Sequence, residues 1–226
     1  MPEKVYVTKL NIKQTRVLLS AIEFYNELFY KRNFESFFKV FESAKDSKNF
    51  KTDNRTHGKF MEIIEPLQKD KTAECFGALE VKLERDANKR KVINVLTLDE
   101  KNVRKIISAL DSYSRVLMGQ FSVVFGDYKL VHANDYIHNP ELSAKHETLL
   151  QRAREVINPE FTLIGWTGSY GITSPEVPEE SKIAYEMLGC LRHWLWLDAP
   201  NRRFYGVDSH LPLKCSTEPL LERIDG

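Results

Sequence analysis

Aromatic and arginine side chains recur at helical spacing in the C-terminal third of the chain. Tyr185, Gly189, Arg192 and Trp196 fall at i, i+4, i+7 and i+11, so on a helix they share one stripe. Arginine and aromatics around a small residue suit a partner surface or the floor of a ligand site, since such side chains dominate binding hot spots. The alternative is a contact inside the fold, with Gly189 permitting close approach. His193, next to Arg192, is the base an enzymatic reading would need there. A second group is Arg115 with Gln120. The guanidinium offers a planar donor fork for phosphate or carboxylate, and the amide adds a further donor. Here the alternative is a solvent-facing ion pair, because Asp111 lies four residues before Arg115. A third group is the segment Gly165-Trp166-Thr167-Gly168-Ser169-Tyr170-Gly171. Its backbone N–H groups could cradle a phosphate, with Trp166 and Tyr170 as candidate contacts. It lacks the lysine of a P-loop, and glycines also serve turns for conformational reasons alone.

Other chemistry is weakly supported. No HExxH or GxSxG spacing occurs. His132 and His138 flank Asp135 in what reads as a loop, a poor basis for a metal site. Cys75, Cys190 and Cys215 are widely spaced and form no CxxC pair, so neither a zinc ribbon nor a thioredoxin-type centre is expected. Cys190 reads as a core residue within a helix. No cofactor and no metal is expected, and no catalytic arrangement stands out.

The elements that must position these residues follow from periodicity and punctuation. Val5–Tyr25 aligns without a gap on Ile93–Tyr113 at an offset of 88, with identities Val7/Val95, Leu10/Leu98, Lys13/Lys101, Arg16/Arg104, Ser20/Ser108, Ala21/Ala109 and Tyr25/Tyr113. The match keeps both apolar and polar positions, so it reads as an internal duplication. Each copy begins with a short alternating strand. A polar cap follows, Asn11 in one and Thr97/Asp99 in the other, and then a helix of about five turns. In the second copy Val103, Ile106, Ile107, Leu110, Tyr113 and Leu117 make one apolar face. Gly119 should end that helix in a left-handed cap, before a short helix over Phe121 to Phe125.

Between the copies, Ser43 to Gly58 is polar and reads as a loop, and Phe60 to Leu67 as a helix strained by Pro66. Phe76 to Leu83 and Lys91 to Leu98 flank Asp86-Ala87-Asn88-Lys89 and read as a β-hairpin. Glu141 to Val156 reads as a charged amphipathic helix stopped at Asn158-Pro159. Pro178-Glu179-Glu180 opens a last long helix to about Leu197, whose core face is Ile183, Met187, Leu188, Leu191, Trp194 and Leu195. The tail from Arg202 should wrap the surface as strand and loop. The expected fold is therefore α+β and predominantly helical: two related strand-helix-helix copies, a β-hairpin, and a C-terminal long helix with an irregular tail. The expected division is 1–90 and 91–226, or one compact unit.

The 226 residues suffice for a sizeable core without staples. Lys+Arg number 33 against Asp+Glu 32, a net charge of +1. That balance offers no overall electrostatic footprint for duplex nucleic acid or an anionic membrane. No segment approaches the roughly 20 apolar residues of a spanning helix. The reading is a soluble protein of a reducing cytoplasm.

The second half also resembles small uncharacterised proteins of bacteriophages and prophages. The resemblance rests on Ala109-Leu-Asp-Ser-Tyr113-Ser-Arg115 with Met118-Gly-Gln-Phe121, on Tyr170-Gly-Ile172 with Pro175-Glu-Val-Pro-Glu-Glu180, on Ala184-Tyr185 with Leu191-Arg-His193, and on Ser216-Thr-Glu-Pro219. It covers roughly residues 95 to 224, and the duplicated first half departs from it. It implies provenance and no specific activity: an accessory phage protein in the bacterial host cytoplasm. Three functions are then expected in order. The first is binding and blocking a host protein, plausibly an antiviral defence component, through a pseudo-symmetric or homo-oligomeric surface. The second is sequestration of a nucleotide-type immune signal by Arg115, Arg192, Tyr185 and the glycine loop. The third is an enzyme acting on a nucleotide.

Overall fold

A computed structural model describes residues 4–44, 50–69, 83–85, 94–165, 167–199 and 206–224. The chain is a predominantly helical α+β protein. Its elements are β1 (Val5–Leu10), α1 (Ile12–Tyr25) continuing into a π-helical turn (Asn26–Tyr30), α2 (Ser36–Ser43), α3 (Asn54–Lys69), β2 (Leu83–Arg85), β3 (Asn94–Asp99), α4 (Glu100–Leu117), α5 (Phe121–Val131), α6 (Ala133–Tyr136), α7 (Pro140–Ile157), α8 (Phe161–Ile164), α9 (Glu179–Asp198) and a 3₁₀ turn (Val207–Ser209). Among the described residues no helix is long and apolar enough to cross a membrane.

The strand-helix-helix order appears in both copies, as β1-α1-α2 and β3-α4-α5. β3 is the central strand, antiparallel to both β1 and β2. Thr8 stands opposite Leu96, its own counterpart at the offset of 88, the pairing that a local twofold axis through the two strands would produce. The expected hairpin is present as β2 and β3, while its outer residues 76–82 and 86–93 lie outside the described residues.

The polar caps behave as the local sequence demands. Asn11 Oδ1 accepts from Gln14 N at 2.9 Å and Gln14 Oε1 accepts from Asn11 N at 3.0 Å, a reciprocal capping box. Asp99 Oδ1 accepts from Asn102 N at 2.7 Å. Gly119 has φ +80, and a Cβ there would lie 2.6 Å from the Phe161 ring. Both the left-handed backbone and the close approach of the ring require glycine.

The segment around Asp135, read as a loop, contains the short helix α6, and two helix boundaries differ from expectation. α3 begins at Asn54 rather than Phe60, because Asp53 Oδ1 accepts from Thr56 N at 2.8 Å and caps a first turn whose residues are too polar to look helical. α5 runs to Val131, beyond Phe125, because Tyr128 is also buried and extends the apolar face.

By contacts the chain divides into two units, and each draws on both copies. The first is Met1–Ile22, Leu79–Ser114 and Glu179–Gly226; the second is Glu23–Ala78 and Arg115–Pro178. In the first, Leu10, Leu18, Val103, Ile106, Leu110, Ile183, Met187, Leu191 and Trp194 are buried. α4 and α9 approach closely at small residues: Ser114 and Ser181 hydroxyls lie 3.0 Å apart, and Ser181 Oγ donates to Ser114 O at 3.0 Å. The C-terminal tail clasps α1 and α9. Glu218 accepts from Asn11 Nδ2 at 2.8 Å and pairs with Lys13 at 2.9 Å, Pro219 O accepts from Gln14 Nε2 at 2.7 Å, and Thr217 donates to Glu179. The second unit has an aromatic core, in which Phe37 meets Phe121 at 4.7 Å and Phe38 meets Phe60 at 5.4 Å between ring centroids.

Candidate functional site

In the first unit α4, α9 and the 3₁₀ turn enclose an open cavity of about 450 Å³, lined by Arg104, Ile107, Ser108, Arg192, Leu195, Trp196 and Asp208. Helical spacing explains the three α9 contributors, since Leu195 and Trp196 lie three and four residues after Arg192 and share its face. Arg104 and Ser108 stand in the same relation on α4. Leu195, expected in the core, is half-buried and lines the cavity instead.

Electrostatically the site is a pair of guanidiniums with carboxylate partners. Arg104 donates to Glu100 Oε1 from Nη2 at 2.6 Å and from Nε at 3.1 Å. Arg192 Nε meets Asp208 Oδ1 at 2.8 Å. Trp196 supplies a large ring beside them. Arginine forks with an indole face can hold an anion and an aromatic ring at once. Among the described residues no group of His, Cys, Asp or Glu has the arrangement of a metal site.

Of the residues singled out from sequence, Arg192 and Trp196 line this cavity. His193 does not: its Nδ1 donates to Asp208 O at 2.9 Å, and its ring lies 6.0 Å from that of Trp196 at 14°. Tyr185 is half-buried on the same helix but outside the lining. Gly189 seats Pro212 of the tail, since a Cβ there would lie 2.5 Å from the Pro212 Cβ. Arg104, Ser108 and Asp208 were not singled out. Glu100 and Arg104 at i, i+4 look like an ordinary surface pair, and nothing local marks Asp208 as a partner of Arg192.

Arg115, Gln120 and Tyr170 belong to the second unit and do come together there. Arg115 Nη1 donates to Gln120 Oε1 at 2.8 Å, and Gln120 Nε2 donates to Ser169 Oγ at 2.8 Å. Tyr170 N donates to Met118 O at 3.3 Å, and its hydroxyl donates to Glu160 at 2.9 Å. These bonds dock the glycine loop onto the turn between α4 and α5. Two carbonyls of the glycine loop are used within the fold. Gly165 O and Gly168 O turn toward Arg154, which is fully buried and donates to them at 2.7 and 3.4 Å. Trp166 lies outside the described residues.

A further polar cluster of the second unit follows the π-helical turn. Arg32 is buried and has φ 52, a left-handed conformation rare for a side chain of this size. Its Nη2 lies 3.0 Å from His132 Nδ1 and 2.8 Å from Asp135 Oδ2, while His132 Nε2 lies 2.9 Å from Phe29 O. The guanidinium can only donate and the carbonyl can only accept, so His132 is neutral with its proton on Nε2. The arginine thus occupies the place between His132 and Asp135 that a cation would take; His138 is exposed.

Burial, reinforced by the Arg32 charge, pulls the His132 pKa down. The unfolded chain therefore binds this proton at a higher pH than the folded one. Its contribution to stability is complete above about pH 6.5 and is lost as the pH falls from there toward the lowered folded value. His132→Gln should flatten that part of the stability–pH curve, measured by urea unfolding at a series of pH values. An unchanged slope would remove His132 as its source.

Compared with family models, with curated proteins and with solved structures, the chain finds no match.

Proposed function

We propose that the first unit binds a small anionic ligand carrying an aromatic ring, of the nucleotide class, and that the chain acts by withholding it. The observation that supports this reading is the cavity in which Arg104 and Arg192 flank Trp196. Its size falls in the range of small-molecule sites, and its chemistry suits a phosphate beside a stacked base. With the phage provenance that the resemblance implies, the ligand would be a nucleotide-type signal of host immunity in the bacterial cytoplasm, and the activity sequestration. An enzymatic reading is weaker, because His193, the base it requires, is engaged outside the lining.

Blocking of a host protein is the second reading, favoured by an apolar groove of the second unit. Leu130, Ala133, Tyr136, Ile137 and Pro140 are among its lining, beside the polar Lys129, Ser143 and Glu147, and Leu130 and Ile137 are 76% and 67% exposed. Two large apolar side chains opening on one groove give a surface of the kind that interaction sites expose.

Native mass spectrometry of the protein purified from a bacterial host, before and after denaturation, separates the two. The ligand reading expects an excess mass of nucleotide size, released on denaturation and absent from Arg192→Ala and Trp196→Ala. A bare chain that also gives no heat with a panel of nucleoside phosphates would sink it. A co-purifying protein lost on Leu130→Asp, and retained in Arg192→Ala, would establish the second reading instead.

A further inference from the structure

Asp208 is the residue of the cavity whose charge opposes the proposed ligand. It belongs to the 3₁₀ turn Val207–Ser209, which packs against α9. Its carboxylate lies 2.8 Å from Arg192 Nε, and its backbone carbonyl accepts from His193. The two side chains of the pair are 41% and 39% exposed, and an ion pair that open to water contributes little to holding a fold. Its effect on the cavity is larger. Three charged residues line it, Arg104, Arg192 and Asp208, and Glu100 is held on Arg104, so the four sum to zero with Asp208 ionised and to +1 without it.

A carboxylate against a guanidinium occupies the donor positions that a phosphate would take. We infer that Asp208 is a built-in competitor for the anionic group of the ligand, and that a bound phosphate takes its place on Arg192 and loosens the turn that carries it. The inference rests on the ligand reading above. The turn is built for a limited excursion. Ser209 closes it through N and Oγ onto Gly206 O, at 3.0 and 2.7 Å. Beyond it the tail is pinned where Pro212 fills the space over Gly189 and where Lys214 and Ser216 bond Glu186. Displacement would therefore exchange one exposed ion pair and the His193 bond, leaving the clasp of the tail intact. Ligand affinity is then set by a difference: the contacts of the phosphate with Arg192 less those it replaces.

The test is calorimetric titration of the full chain with ADP and with adenosine, for the wild type and Asp208→Asn. Asparagine keeps the size of the side chain and the backbone carbonyl that His193 uses, and removes the charge. The expected result is ADP binding about tenfold tighter in Asp208→Asn, the usual scale of one charge-assisted contact, with adenosine affinity unchanged because it carries no anion to compete. Equal or weaker ADP binding by the variant, with the wild type binding ADP, overturns the competitor while leaving the ligand site standing. Absence of ADP binding by both proteins overturns the ligand reading for this probe and the inference with it. Amide exchange of residues 206–210 in the wild type gives a second readout that needs no variant. Faster exchange on adding ADP is expected; slower exchange would mean that ligand and Asp208 bind Arg192 together, against the inference.

Discussion

Arg154→Ala is expected to destabilise the second unit by about 3–5 kcal/mol, read as a lowered urea midpoint. Arg154 is fully buried in α7. Its guanidinium donates to Gly165 O at 2.7 Å, Phe161 O at 3.3 Å and Gly168 O at 3.4 Å, and lies 4.7 Å from the Phe161 ring centroid. Alanine removes these donors together, leaves Gly165 O with only the Gly168 N–H at 3.3 Å and opens a cavity under Phe161. Burial lowers the pKa of the guanidinium, but an arginine stays charged at neutral pH, so charge and fork are present throughout the working range. Arg154→Lys should lose most of the same stability, since a point ammonium cannot reach carbonyls spread over three residues. A loss below about 1 kcal/mol for Arg154→Ala would mean that the loop holds its shape through Gln120 and Met118 instead.

Glu186→Ala should cost about 2–4 kcal/mol and free the C-terminal tail. Glu186 is buried in the middle of α9. Its carboxylate receives Lys214 Nζ at 3.0 Å, Ser216 N at 2.6 Å, Ser216 Oγ at 2.6 Å, and Cys215 N. Every one of these partners is a donor, so Glu186→Gln should be nearly as damaging, because its amide would set a donor against donors. Limited proteolysis checks the structural part: cleavage after residue 206 should appear in the variants well before the core of the unit unfolds. Proteolysis identical to the wild type would show that the Glu218 and Pro219 contacts hold the tail alone. With Gly189 seating Pro212, this clasp accounts for the Ser216-Thr-Glu-Pro219 motif in physical terms: Ser216 bonds Glu186, Thr217 bonds Glu179, Glu218 bonds Asn11 and Lys13, and the Pro219 carbonyl bonds Gln14.

Much of the fold is legible along the chain because its determinants are short-range. The apolar face of α4, the acidic first turn of α9, the Asn11 cap and the Asn158-Pro159 stop each act within a few residues. The helix α3 shows where this fails. Its first turn, Asn54-Arg55-Thr56-His57, carries no apolar period, and it is helical because Asp53 caps it and because Phe60 and Ile64 behind it are buried in a unit where α3 packs on α7. The candidate site was half legible. Arg192 and Trp196 stood out by type and spacing, while Arg104 resembled any exposed member of a helix ion pair.

Composition, periodicity and caps by themselves determined the class of the protein, the places of its main helices, one strand pair (the hairpin of β2 and β3) and the repeat of strand-helix-helix; the pairing of β1 with β3 came only with the tertiary structure. Only the tertiary structure decided which charges are used for what. Arg154 and Glu186 lie on helices whose sequences read as ordinarily amphipathic, yet both are buried and hold loops. Arg32 and His132, one hundred residues apart, share a hydrogen bond that no local pattern announces. Asp208 meets Arg192 because the tail folds back over α9. The physical reason is common to all: the propensity of a segment is a sum over near neighbours, whereas the environment of a charge is set by chain that arrives from elsewhere.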